Sequence, residues 1–157
     1  SPMDRNAFDP GLYKWREVVG TPDLSYKVRH DYTVLGYDVA AGTLDMMVRW
    51  AGDGGHCPLH RHTATTTVLV IDGEQHLTDV LADGSPGEHK VRTAGDYALS
   101  VGDDQLPHFE RGGEAGGLAF FGAHCSDGRL YQLLDEDLKV IADVTIETLV
   151  ADWQENA

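Results

Sequence analysis

Cysteine is scarce, with only Cys57 and Cys125 in 157 residues. Two thiols cannot build a disulfide scaffold, and their number suits a reducing compartment. Positive charge is short as well: 12 Lys and Arg face 26 Asp and Glu, a formal net charge of −14. That balance repels phosphate backbones, and no Lys/Arg cluster reverses it locally. Neither nucleic acid nor an anionic membrane surface is therefore expected as a partner. No apolar run approaches the ~18 residues of a membrane span, and no basic segment followed by an apolar one opens the chain. The expectation is a soluble, cytoplasmic protein. Ser1-Pro2-Met3 reads as a tag remnant preceding an initiator methionine.

The apolar content of 41% is enough for a sizeable core, and the length suits one domain. Asp9-Pro10 is a helix-starting pair, and Gly20 a stop, so a short helix is expected between them. From Thr33 onward the pattern changes to that of strands. Leu44, Met46, Val48 and Trp50 alternate with Thr43, Asp45, Met47 and Arg49, which describes a half-buried strand. The Thr- and Val-rich run after His62 ends in Asp72-Gly73, a hairpin signal, with a further strand expected in 75–81. One strand is expected over Val91–Val101, where Tyr97, Leu99 and Val101 alternate, then a turn at 102–104. Another should begin near Pro107 and a separate one span 117–124. Seven or eight short strands at intervals of about 8 to 12 residues describe an all-β sandwich or barrel. Ile146, Leu149, Val150 and Trp153 fall at i, i+3, i+4 and i+7 instead, so the chain closes with a helix. The expected division is an N-terminal extension over 1–32, a β-barrel over 33–142 and a C-terminal helix over 143–157.

Eight histidines stand out in so short a chain. His60 and His62 are one residue apart, and on a strand that spacing turns both imidazoles to one face. Two neutral nitrogens then converge, and imidazole is a ligand for iron, zinc, copper and nickel. A third ligand from a distant strand would complete a facial set with the opposite positions open. His108, at the start of an expected strand, is the candidate.

Gly54, His60, His62 and Gly73 match the first motif of the cupin superfamily, with Thr66 where that motif carries Glu. Gly95-Asp96 opens the second motif and His108 ends it. Within the superfamily the chain resembles the ChrR-like group that includes the dihydroxyacetophenone dioxygenases. The likeness rests on HRHT at 60–63, AGDY at 94–97 followed by His108, and the tail from Phe120 to Val144. The resemblance implies a single-domain jelly-roll barrel and a non-haem Fe(II) held by three histidines, with Zn, Ni or Mn as alternatives. It also implies cleavage of a carbon-carbon bond by O2, and a homodimer paired through its sheets.

Replacing the motif's Glu by Thr66 leaves three neutral imidazoles, and the +2 charge of an ion there is not offset by a ligand. That favours a chelating anionic substrate such as the enolate of a hydroxyketone or diketone. Glu110, two residues past His108, shares its face and is the candidate acid, base or additional ligand. Trp50, Thr66 and Phe121 are expected to line the substrate pocket. Cys57, three residues before His60, reads as a buried thiol beside the site or as a fourth ligand, and His56 and His76 as solvated or structural. His30, His89 and His124 carry no motif. Two other readings fit the same residues: a redox-neutral cupin such as a polyketide cyclase or isomerase, and a non-catalytic ChrR-like ligand-binding module.

Overall fold

The computed structural model describes residues 8–103 and 105–157, so the first three residues and the last residue of the turn expected at 102–104 lie outside the described chain. Among the described residues, ten strands and one C-terminal helix make up the fold. They are β1 (Arg16–Val19), β2 (Arg29–Asp38), β3 (Thr43–Trp50), β4 (His56–His62), β5 (Thr65–Val80), β6 (Pro86–Thr93), β7 (Tyr97–Ser100), β8 (His108–His124), β9 (Arg129–Leu134), β10 (Val140–Thr145) and α1 (Ile146–Asn156). The hydrogen-bonded order is β1-β2-β3-β8-β4-β9-β10, and β5 joins through β8 while pairing with β6 and β7.

Two long strands turn this sheet into a barrel. The C-terminal half of β8 pairs with β3 and its N-terminal half with β4, while β5 follows β8 along both halves. Both strands bend at the same level, so one face carries β3, β8, β5 and β7 and the other β6, β5, β8, β4 and β9. At the corner Gly73 has φ +64°, and a Cβ there would lie 2.5 Å from the Gly116 carbonyl oxygen. Only glycine provides both the backbone region and the clearance.

Asp72-Gly73 is therefore a bend within β5 and not the expected hairpin. The register shifts on either side of it, between Val70 and Asp72 and between Gly73 and Gln75. The two-residue signal is local, whereas β5 has a partner in β8 along its whole length, and that non-local pairing prevails. For the same reason the two strands expected from Pro107 to His124 are one. The single strand expected over Val91–Val101 is two, broken where Gly95 takes φ +92° and Asp96 Oδ2 accepts from the Thr93 amide at 2.8 Å. Between Asp9 and Gly20 the expected helix is one 3-10 turn at Pro10–Leu12, after which Arg16–Val19 pairs with β2. The sheet thus takes in residues 16–19 and 29–32, and the helix begins at Ile146.

Inside the barrel, Leu44, Val48, Trp50, Val68, Ala119 and Phe121 form the main core with the helix residues Ile146, Leu149 and Val150. The helix is capped by Thr145, whose hydroxyl accepts from the Thr148 amide while the Thr148 hydroxyl accepts from Thr145 N. Tyr32 Oη donates to Asp152 Oδ2 at 2.5 Å, and Arg16 Nε reaches the same oxygen at 3.1 Å, tying the helix across β1 and β2.

Candidate metal centre

β4 delivers His60 and His62 to one face, and the β4–β8 register sets His60 directly against His108. The ligand atoms of these three residues lie within 4.8 Å of one another. Their environments leave the same nitrogen of each ring bare. His60 Nδ1 lies 2.7 Å from the Pro58 carbonyl, which can only accept, so Nδ1 carries the proton and Nε2 the lone pair. Thr66 Oγ1 donates to Ala64 O at 3.0 Å and meets His62 Nδ1 at 3.4 Å, where its remaining lone pairs receive an N–H. His108 bonds the Leu106 backbone and its Nε2, buried, has no partner among the described residues. Outer partners of this kind fix the tautomer of metal-binding imidazoles. Three inward Nε2 lone pairs, one of them otherwise orphaned, fit a divalent first-row ion.

Burial disfavours the charged form of two of the three rings. It pulls His62 down to about 3, with His60 adding to the effect. His108 falls well below the usual histidine value, first through burial and then through its two histidine neighbours.

A cavity of about 380 Å³ opens on one side of the triad, reaching His60 and His62 on its floor. Val18, Met46, Val48, Phe121 and Leu133 give it an apolar wall, and α1 contributes Leu149 and Asp152 at its mouth. Phe121 thus lines the cavity, while Thr66 lies behind His62 in two smaller voids and Trp50 packs in the core. Glu110 is 3% exposed and its Oε1 stands 3.5 Å from His60 Nε2, yet it is not part of the converging group. Cys57 is also outside that group. Burial, and then the Glu110 charge, push its thiol well up. His56 bonds the Lys27 carbonyl through Nδ1, and His76 lies between His89 and Glu74.

Two wall residues, His30 and Tyr131, carry no motif. His30 stands in the cavity wall on β2, pulled down to about 4 by burial, with its Nδ1 unpartnered among the described residues. Tyr131, from β9, has its phenol pushed up by burial. The alternation of their strands marks both as inward, but nothing local says that they share a cavity with His60.

This architecture is the cupin fold. The chain is similar to a solved RmlC-like cupin protein from Ralstonia eutropha JMP134, at 17% identity and TM-score 0.64, over 98% of this chain and 87% of that one. It is similar to a putative acetylacetone dioxygenase from Methylibium petroleiphilum PM1, at 15% identity and TM-score 0.65, over 98% and 96% of the two chains. An acetylacetone dioxygenase from Acinetobacter johnsonii matches at 14% identity and TM-score 0.63, over 99% and 93%. No family model matches the sequence, and no curated protein does.

Proposed function

We propose that this chain is a metal-dependent dioxygenase that cleaves a carbon-carbon bond of a small chelating ketone, a hydroxyketone or diketone, with O2. The observation that carries the reading is the convergence of His60, His62 and His108 beside an apolar cavity of about 380 Å³ that reaches the first two of them. Such a volume lies within the range of small-molecule sites. Likeness of fold to two proteins named as acetylacetone dioxygenases supports it. Iron(II), when bound, supplies the redox chemistry. His60, His62 and His108 would hold it, and the same imidazoles accept zinc, nickel or manganese.

The remaining work falls to the wall. Val18, Met46, Val48 and Phe121 exclude water from a ketone lying over the triad. His30 and Tyr131 offer polar atoms that orient it. The reaction balances without a reductant: one C–C bond and the O–O bond break, and both oxygen atoms end in the two carbonyl-containing products.

The test is oxygen uptake by protein loaded with Fe(II) without air, on addition of hydroxyketones and diketones. One O2 consumed per ketone is the expected result. Turnover that persists when oxygen is removed would replace this reading with a redox-neutral cyclase or isomerase. Ketone binding with no turnover under either condition would leave a ligand-binding module.

A further inference from the structure

Glu110 is buried in a way that its strand position alone does not explain. Its carboxylate is 3% exposed, and among the described residues no Lys or Arg pairs with it. One oxygen faces His60 Nε2 at 3.5 Å. The other accepts from Gln75 Nε2, and Gln75 is itself 1% exposed. Gln75 Oε1 in turn accepts from Arg92 Nη1 at 3.1 Å. A chain of three side chains from β8, β5 and β6 therefore runs from the triad outward. It borders a polar cavity of about 50 Å³, walled also by Lys90, Ser100 and Gln105, and Glu110 and His62 line both this cavity and the apolar one.

Burying a carboxylate whose side-chain contacts are an imidazole and an amide, with no Lys or Arg beside it among the described residues, is expensive. The triad has the complementary deficit, since Thr66 stands where a carboxylate ligand would offset the charge of a bound ion. The two deficits lie side by side. We propose that Glu110 is the charge-balancing residue of the metal centre, positioned by Gln75 and Arg92 outside the coordinating group, so that a divalent ion on the triad and this carboxylate each offset the burial of the other. The inference rests on the reading of His60, His62 and His108 as metal ligands.

The experiment titrates Co(II) into metal-stripped wild-type, Glu110→Gln, Glu110→Asp, Gln75→Met and His108→Ala proteins, and records the melting temperature of each without metal. Glu110→Gln keeps shape and loses charge, so its affinity should fall by about 10- to 100-fold, the range found for outer partners of metal ligands. Without metal it should melt no lower than wild type, because the amide keeps the shape of the carboxylate and an oxygen that accepts from Gln75 Nε2. A merely structural residue would lower both quantities. Glu110→Asp should bind within a few-fold of wild type, and Gln75→Met should lose affinity by a smaller factor than Glu110→Gln. Wild-type affinity in Glu110→Gln overturns the proposal. If that variant does not fold, unchanged affinity in Gln75→Met does so. Failure of the wild type to bind Co(II), or undiminished binding by His108→Ala, overturns the metal site itself and is distinguishable from either.

Discussion

His62 and His30 connect the site to the stability of the chain. Their folded values lie at about 3 and about 4 against 6.5 for a free imidazole, in both cases chiefly through burial. Between those values the unfolded chain binds protons that the folded chain refuses, so stability rises with pH in that window. It is fully present above about 6.5 and is lost as pH falls towards 4 and 3. Each such group contributes a slope of at most about 1.4 kcal/mol per pH unit. Urea midpoints of the metal-free protein should therefore decline between pH 7 and pH 5, a range above the carboxylate values; a flat profile there would contradict neutral burial of these rings. Substitution at the triad reads out separately. His60→Ala and His108→Ala should each leave the protein with less than about a tenth of the wild-type metal content by elemental analysis, since either removes one of three donors.

At the scale of the element, the bend shared by β5 and β8 holds the triad strand beside its neighbours. Gly73→Ala must place a methyl group 2.5 Å from the Gly116 carbonyl at φ +64°. A cost of about 2 kcal/mol or more is expected, read as a fall of roughly 4–8 °C in melting temperature. Gly84→Ala is the control, because φ is +85° there and nothing lies within 4 Å, so only the smaller backbone cost applies. The helix has its own test: Thr145→Ala removes the hydroxyl that accepts from Thr148 N and should cost about 1 kcal/mol in chemical denaturation. Elements with a regular local period were legible before the fold was known. The i, i+3, i+4, i+7 series of α1 holds, and so does the alternation over Leu44 to Trp50 except at Met47, expected on the exposed face but 2% exposed; Leu44, Val48, Ile146, Leu149 and Val150 share one core. Asp72-Gly73 misleads because a turn dipeptide specifies a local conformation, and the partner that decides between a hairpin and a bend is β8, about forty residues away.

For the molecule as a whole, the outward residues of β5 and β7 leave an apolar strip. Leu69, Ile71, Tyr97, Leu99 and Val101 are each exposed, and the β5–β7 register sets Leu69 against Tyr97. An exposed, apolar edge region of this kind needs covering. The homodimer expected from the cupin resemblance would cover it with a second copy. Light scattering on the eluting protein should give twice the chain mass, and Tyr97→Glu with Leu99→Glu should shift it to the monomer. A wild-type monomer, or a double variant that still dimerises, would place any pairing elsewhere.

The sequence by itself determined which residues face the same way. His60 and His62 on one face, Phe121 inward, and an amphipathic closing helix all follow from periods of two and 3.6 residues, which are properties of the local backbone. It also offered His60, His62 and His108 as candidate imidazole donors. Tertiary structure alone decided which strands meet. It set His108 against His60, brought Glu110 and Gln75 together from strands 35 positions apart, and carried His30, from a segment expected to lie outside the barrel, into the cavity wall. The reason is that side-chain direction is fixed within a few residues. Proximity depends on strand register between distant parts of the chain, and there a single bend at Gly73 changes which residues become neighbours.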